Sequence, residues 1–315
     1  MNLHQLHVFV ALVERGSYTA AAEHLHLTQP AISQQIKALE NSSGIRLVER
    51  SNNRIVPTHA GEVLHKYALS MLHIEQEALH AIDDLKAGGR GRFVVGANTT
   101  GGMYVAPPLI AAYRELNPDT EVVLRIEGTE AICAAIAARS LEIGIVGGPV
   151  SDRRFHVEPL VPDRLVLIAP PGHPLALQDV VRVEDLAQQH FITARYGSTT
   201  RRLIESKFKE QGVTLRIGLE LSATEDIKKA VESGLGLAVV SQWSVLREVA
   251  AGYLRQLDIE DLDLTRYYEM ITHRSRYYSP AAESFMEFTR KRAPGLTFAN
   301  VLKRGEKVKE LTAKV

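Results

Sequence analysis

One long amphipathic helix, predicted over residues 58–86, divides the sequence. Thr58 is a suitable N-cap for it, and the helical pattern runs to about Lys86. An apolar side chain recurs every seven residues, at Leu64, Met71, Ala78 and Leu85. Two further apolar side chains lie between these positions, at Tyr67 and Ile74. This spacing is typical of a coiled-coil seam and predicts a homodimer or homotetramer that pairs through these side chains. The alternative is a single amphipathic helix packed on its own domain.

A glycine-rich segment follows this helix, with three glycines among residues 87–91, and indicates a hinge. We therefore expect a first domain over residues 1–58, a linker helix and hinge over 59–90, and a third domain over 91–295. Residues 296–315 carry five basic and two acidic side chains and are expected to form a basic C-terminal tail.

Residues 1–58 have the pattern of three helices followed by a hairpin. The first helix covers residues 2–15, the second begins at Ser17, and the third begins at Thr28 with a proline in its first turn. The third helix has a buried stripe formed by Ile32, Ile36 and Leu39. Short helices joined by a tight turn and followed by a hairpin predict a winged helix-turn-helix.

The other face of the third helix carries side chains suited to reading DNA. The candidates are Thr28, Gln29, Pro30, Ser33, Gln34 and Lys37. Glutamine can form two hydrogen bonds with adenine, serine and lysine can reach bases or phosphates, and proline offers an apolar surface to a thymine methyl group. The alternative is that these are ordinary solvated side chains.

The predicted hairpin turns at Ser51-Asn52-Asn53 and is flanked by Arg50 and Arg54. These arginines can contact the DNA backbone or the minor groove, or they are ordinary surface charges. Residues 1–58 contain only five basic against four acidic side chains, so DNA affinity has to come from the placement of charges and from dimerisation.

Strands and helices alternate after residue 91, which predicts an α/β domain with a mainly parallel sheet. Predicted strands fall at residues 93–97, 121–127, 143–146, 165–169, 191–193, 217–221, 237–240 and 268–272. We expect lobe I over about residues 91–162 and 267–295, and lobe II over about residues 163–266.

Hydroxyl side chains follow several of these strands where a helix begins. Helix N-termini offer unpaired N–H groups to anions, and the carboxyl ends of strands in an open α/β sheet meet in one crevice. The candidates for a ligand cleft are Thr99, Thr100, Thr129, Gly147, Thr193, Arg195, Ser198, Thr199 and Thr200, with Arg201 and Arg202 as further sources of positive charge. Each threonine alone is better explained as an N-cap. Together they favour a site for a small anion.

Composition excludes several classes of protein. The 315 residues are 45% hydrophobic and carry no net charge, as in ordinary globular proteins. No apolar run approaches the roughly 20 residues of a membrane span, no secretory signal pattern is present, and Cys133 is the only cysteine, so we expect a cytoplasmic protein.

No catalytic motif is found either. A nucleophile elbow, a phosphate loop and a dinucleotide fingerprint are missing from the sequence. The histidine pairs His4/His7 and His24/His26 lack partners at metal-site spacing. We therefore expect no enzymatic activity, cofactor or metal.

The N-terminal region resembles the LysR-type transcriptional regulators. The resemblance is carried by Phe9, Ser17, Ala21-Ala22, Leu25, Gln29-Pro30-Ala31-Ile32-Ser33, Ile36, Leu39-Glu40, Gly44, Leu47, Arg50 and Thr58-Ala60-Gly61. The chain as far as about residue 295 is similar to that family, whose effector domain resembles type 2 periplasmic binding proteins. The resemblance implies an α/β fold with an N-terminal winged helix-turn-helix, a long coiled-coil linker helix and a two-lobed effector domain.

The same resemblance implies a palindromic double-stranded DNA operator, a small-molecule effector and contact with RNA polymerase as partners, and no membrane. Two alternatives stay open. A transport-type binding protein would have two lobes but leaves residues 1–58 unexplained. An enzyme with a regulatory DNA-binding head would need a catalytic set that the sequence does not offer.

Overall fold

The structure of the chain, a computed structural model, describes residues 1–52, 54–87, 91–178, 180–260 and 262–296, without the side chains of residues 80, 81 and 83–87. The hinge residues 88–90, the tail after residue 296 and the side chain of Leu85 therefore lie outside the described residues. The described residues divide into two units, residues 1–87 with 138–140, and residues 91–137 with those from 141 to 296. Within the described ranges, no helix is both long and apolar enough to cross a membrane.

The first unit is a winged helix-turn-helix followed by a long helix, as the sequence predicts. Its elements are α1 (Leu3–Arg15), α2 (Tyr18–Leu25), α3 (Gln29–Ser43), β1 (Val48–Ser51), β2 (Arg54–Pro57) and α4 (His59–Ala87). Thr28 Oγ1 accepts the Ala31 N–H at 3.4 Å, and Thr58 Oγ1 accepts the Gly61 N–H at 3.1 Å, so both predicted caps are present. Ser17 is at the N-cap position of α2, but its side chain makes no cap hydrogen bond.

The second unit alternates strands and helices. Lobe I contains β3 (Arg92–Asn98), a π-helical segment (Gly101–Val105) that continues into α5 (Ala106–Leu116), β4 (Glu121–Glu127), α6 (Thr129–Ala137) and β5 (Ile143–Gly147). The long strand β6 (Phe155–Ala169) leads into lobe II, which contains β7 (Val180–Val181), β8 (His190–Ala194), α7 (Thr199–Glu210), β9 (Arg216–Leu221), α8 (Thr224–Glu232), β10 (Ala238–Ser241), α9 (Leu246–Ala250) and β11 (Arg255–Ile259). Strand β12 (Thr265–His273) and α10 (Pro280–Arg292) return to lobe I.

The sheet is mixed, so the expectation of a mainly parallel sheet is wrong. Strand β3 pairs in parallel with β4 and β5, and β8 pairs in parallel with β9. Strand β12 is antiparallel to both β5 and β6, and β10 and β11 are antiparallel to β6. The β6–β12 pair is antiparallel because β6 carries the chain from lobe I to lobe II and β12 brings it back beside β6.

The first half of β6 was not expected as a strand. Pro159 and Pro162 lie in it, and proline cannot donate a ladder hydrogen bond in a sheet. The structure accommodates them with an irregular register opposite Tyr268 and Glu269. Each lobe buries its own apolar core, around Phe93, Tyr113 and Phe285 in lobe I and around Phe191 and Phe208 in lobe II.

Candidate functional sites

The exposed face of α3 carries the predicted DNA-reading side chains. Ile32, Ile36 and Leu39 are buried in the core of the first unit. The opposite side of the helix exposes Gln29, Pro30, Gln34 and Lys37, with Ser33 half-buried among them and Thr28 exposed at the N-cap. The structure therefore presents this set on one helical face, which is the arrangement that a major-groove reader needs.

The β1–β2 hairpin is held against the helices by backbone and side-chain contacts. Glu40 of α3 accepts the Leu47 N–H at 2.8 Å and the Val48 N–H at 3.3 Å through Oε1. The Ile55 N–H donates to the Gly16 carbonyl at 2.8 Å, and Arg54 lies over Gly16. Glu40 thus positions the wing relative to α3, a role that the sequence did not reveal.

Helix α4 leaves a stripe of apolar side chains exposed. Tyr67, Met71 and Ile74 are 60%, 39% and 46% exposed, and Ala78 lies on the same stripe. Leu64 differs from the predicted set, because it is partly buried against the core of the first unit. The structure adds Val63, Leu79 and Ile82 to the exposed apolar residues of this helix.

The second unit encloses a cavity of about 440 Å³ between its two lobes. Eight of the nine predicted cleft residues line it: Thr99, Thr100, Thr129, Thr193, Arg195, Ser198, Thr199 and Thr200. The helices α6, α7 and α8 all begin at this cavity, at Thr129, Thr199 and Thr224. Their unpaired N–H groups and positive dipole ends favour an anion there.

Pairs of threonine hydroxyls join the two lobes at the cavity. Thr199 of lobe II donates to Thr129 Oγ1 of lobe I at 3.3 Å, and the hydroxyls of Thr100 and Thr224 lie 3.2 Å apart. Ser198 Oγ accepts the Arg201 N–H at 3.4 Å as the N-cap of α7, so the proton of its hydroxyl can still be donated to a ligand.

Most charged side chains of the cavity already have a partner. Arg201 is buried and pairs with Glu205 and Glu220, both at 2.7 Å. Glu130 accepts from Arg202 at 2.8 Å. The charged residues that line the cavity are Glu130, Arg195, Arg201 and Arg266. Among them, Arg195 makes no ion pair with any residue that the structure describes. Of the three predicted arginines, it is therefore the one available to an anion.

Gly147 was expected at the cleft and does not line the cavity. A Cβ at this position would lie 3.0 Å from the Arg266 guanidinium, which occupies that space. Arg266 itself lines the cavity and donates to Thr200 Oγ1 at 2.8 Å. It was missed because its place beside Thr200 depends on long-range strand pairing.

The sequence analysis also missed other polar residues that line the cavity, among them Asn98, Ser222, Thr224 and Ser241. Asn98 and Ser241 directly follow predicted strands, and Ser222 and Thr224 lie between a predicted strand and a helix, so the same rule that selected Thr99 and Thr100 would have found them. No cluster of three or more side chains suited to a metal ion occurs among the residues that the structure describes.

Comparison with known proteins matches both parts of the chain to one family. Residues 3–62 match the bacterial regulatory helix-turn-helix protein of the lysR family, and residues 86–294 match the LysR substrate binding domain. A protein of Guillardia theta named "Probable RuBisCO transcriptional regulator" is 36% identical over 290 residues, which cover 90% of this chain and 94% of that protein.

Solved structures give the same result. The regulatory domain of CcmR from Synechocystis PCC6803, in complex with 2-PG, is 27% identical and covers 64% of this chain and 97% of that one, with a TM-score of 0.61. Full-length CbnR complexed with its target DNA is 22% identical and covers 93% of this chain and all (100%) of that one, with a TM-score of 0.69. The fold, the family matches and the full-length relative agree, and the chain belongs to the LysR family of bacterial transcriptional regulators.

Proposed function

We propose that the protein binds an operator as a homodimer or homotetramer and changes transcription when a small anion enters the cavity between its lobes. The observation that carries this proposal is the cavity itself, since eight independently predicted polar residues line it. Its volume of about 440 Å³ lies within the roughly 300–1,000 Å³ of small-molecule sites.

The chemistry of the lining favours an oxyanion. Hydroxyls, three helix N-termini and Arg195 supply donors and positive charge, whereas Glu130, the acidic lining residue among those described, is paired with Arg202. Hydrogen bonds to a charged ligand contribute about 1.5–3 kcal/mol each when they are made away from water. An anion with several oxygens would use more of these donors than a neutral molecule.

The CcmR structure offers a specific candidate. That regulatory domain was solved with 2-PG, and its 27% identity makes 2-PG the first ligand to test on this chain. The Guillardia theta relative further supports a role for this chain in transcription. We propose that 2-PG or a similar small anion is the effector.

The DNA contacts that we propose are Thr28, Gln29, Pro30, Ser33, Gln34 and Lys37 of α3 with Arg50 and Arg54 of the wing. The exposure of this helical face supports them. We propose pairing through Tyr67, Met71, Ile74 and Ala78 of α4, with Leu64 at its margin, and a cytoplasmic protein that contacts RNA polymerase and acts without catalysis. The match to a regulatory family supports the regulatory role, and the exposure of the apolar stripe on α4 supports the pairing surface.

Calorimetry on the full-length protein tests the effector proposal. The titrants are 2-PG, inorganic phosphate and, as a neutral control, glycerol. We expect the anions to bind and glycerol not to bind, and we expect the bound anion to raise the unfolding midpoint as linkage requires. If neither anion gives heat or a thermal shift, the anionic effector is wrong. The DNA contacts are tested separately by operator binding without any ligand.

A further inference from the structure

A cluster of polar side chains around a buried lysine joins the two lobes outside the cavity. We define the interlobe cluster as Tyr104, Glu225, Lys228 and Glu248. Lys228 is 2% exposed, and its Nζ lies 2.8 Å from Glu248, 2.9 Å from Glu225 and 3.3 Å from the Tyr104 hydroxyl. It also donates to the Ser244 carbonyl at 2.6 Å. Each hydrogen of the ammonium group therefore has acceptors within reach.

Tyr104 is the member of this cluster that comes from lobe I. Its hydroxyl donates to the Glu225 carboxylate and accepts from Lys228, both of which belong to α8 in lobe II. Burial raises the pKa of Tyr104 to about 12, with a smaller contribution from the hydrogen bond to Glu225, so the hydroxyl keeps its proton at neutral pH. One side chain of lobe I is thus inserted into an ionic group of lobe II.

The cluster lies one helical turn behind two lining residues of the cavity. Thr100 precedes Tyr104 by four residues, and Thr224 precedes Lys228 by four residues. Thr100 and Thr224 face each other at 3.2 Å and line the cavity, whereas Tyr104 and Lys228 do not line it. The Tyr104 side is a π-helical segment, Gly101–Val105, an irregularity that is frequent at functional sites.

We propose that the interlobe cluster positions Thr100 and Thr224 for the effector by holding the two lobes together, and that Tyr104 and Lys228 are positioning residues without contact to the ligand. The proposal rests on the proposed effector site. A ligand binds more tightly when the protein already favours the arrangement that the ligand needs. A contact that holds the two lobes in the arrangement described here therefore raises effector affinity, even though it lies outside the cavity.

Hydrogen–deuterium exchange of the full-length protein without ligand tests the cluster directly. Tyr104→Phe keeps the ring and removes the hydroxyl, and we expect exchange to rise about tenfold or more in both residues 101–116 and residues 224–232. Exchange in the paired strands β6 and β12 should not change. The matched control is Tyr253→Phe, because Tyr253 is an exposed tyrosine of lobe II.

A double-mutant cycle separates positioning from local loosening. If Tyr104 acts through Glu225, the variant with both Tyr104→Phe and Glu225→Gln should exchange no faster than the faster single variant. Additive increases, or an increase confined to residues 101–116, would overturn the proposal. Both substitutions nearly preserve the volume of the side chain. Unchanged exchange in β6 and β12 shows that the variants are correctly folded.

Calorimetry with 2-PG and inorganic phosphate then measures the consequence for binding. Tyr104→Phe should weaken whichever anion the unmodified protein binds by about tenfold, and Tyr253→Phe should not. If the unmodified protein binds neither anion, the proposed effector fails, and the exchange measurements still decide whether the cluster holds the lobes. Unchanged exchange for Tyr104→Phe would overturn the cluster whatever the ligand result.

Discussion

Arg266 and Asp163 form a buried ion pair, with 2.8 Å between Nε and Oδ2, on the two strands that connect the lobes. They face each other in the β6–β12 register. Burial raises the pKa of Asp163, although Arg266 and Ser241 both donate to its carboxylate. Because the charge of Arg266 is balanced by Asp163, Arg266 orders Thr200 without giving the cavity a net positive charge.

The first prediction concerns this pair. Asp163→Ala should destabilise the protein by about 3–5 kcal/mol, because it leaves the Arg266 cation buried without a partner. Asp258→Ala breaks the Arg164–Asp258 pair, which is about half exposed, and should cost less than about 1 kcal/mol. Urea unfolding of both variants measures the difference. Equal losses for the two would contradict the role of burial.

The second prediction concerns the charge available to the effector. Arg195→Gln should weaken binding of 2-PG or phosphate by about tenfold or more, because it removes the positive charge not already paired among the described lining residues. Arg216→Gln on β9 is the matched control, since Arg216 is exposed and lies outside the cavity lining. The same loss for both would show only a general effect of net charge.

The third prediction concerns DNA. Gln34→Ala should reduce discrimination between operator and random DNA by about 1–3 kcal/mol. Arg54→Ala should weaken both DNAs alike and lower the slope of log K against log salt by about 1. Binding measured at several salt concentrations separates the two effects. A uniform loss for Gln34→Ala would place base reading elsewhere than on α3.

The fourth prediction concerns assembly through α4. Met71→Asp with Ile74→Asp should break the dimer, because two carboxylates would be buried in the paired stripe. These sites are preferable to Leu64, which also packs on the core of its own unit. Gln76→Asp is the control, because Gln76 is an exposed polar residue of the same helix and the substitution adds a carboxylate outside the stripe. Sedimentation that finds an intact dimer for the double variant would assign pairing to another surface.

The fifth prediction concerns pH. Two hydrogen bonds from Arg290, at 2.6 and 2.9 Å, hold the pKa of Glu158 below its ordinary value. A carboxylate with a lowered folded-state pKa adds stability above its unfolded pKa, near roughly 4.3, and loses that contribution as pH falls through the lower folded value. Glu158→Gln should therefore be less stable at pH 7 and equal to the unmodified protein at strongly acidic pH. Urea unfolding across this range, with the exposed Glu184→Gln as control, measures it.

Sequence patterns predict the elements whose signals are local. Helix α3 follows from a cap at Thr28 and a stripe of three apolar residues, and α4 follows from its repeat. The cleft was predictable because several of its hydroxyls lie within two residues of a strand end, at Thr99 and Thr129 for example.

What the sequence does not predict depends on long-range contacts. Arg266 reaches Thr200 only through the pairing of β12 with β6, and no neighbouring residue signals that pairing. Arg201 was expected as a positive charge for the ligand, but in the folded chain it forms ion pairs with Glu205 and Glu220. Gly147 was expected to line the cleft, but the space beside it is filled by the side chain of Arg266, more than one hundred residues away in the chain.

Strands β6 and β12 connect the lobes through nine residue pairs, from Thr265–Arg164 to His273–Phe155, with one shift of register between Tyr268 and Glu269. Strand β12 also pairs with β5 from Tyr268 to Thr272, so, apart from the end pair at His273, the stretch in which β12 pairs with β6 alone covers the three pairs at Thr265, Arg266 and Tyr267. A rotation of one lobe against the other would therefore twist the sheet most at these three pairs, because two-stranded segments accept a larger twist than wider sheets.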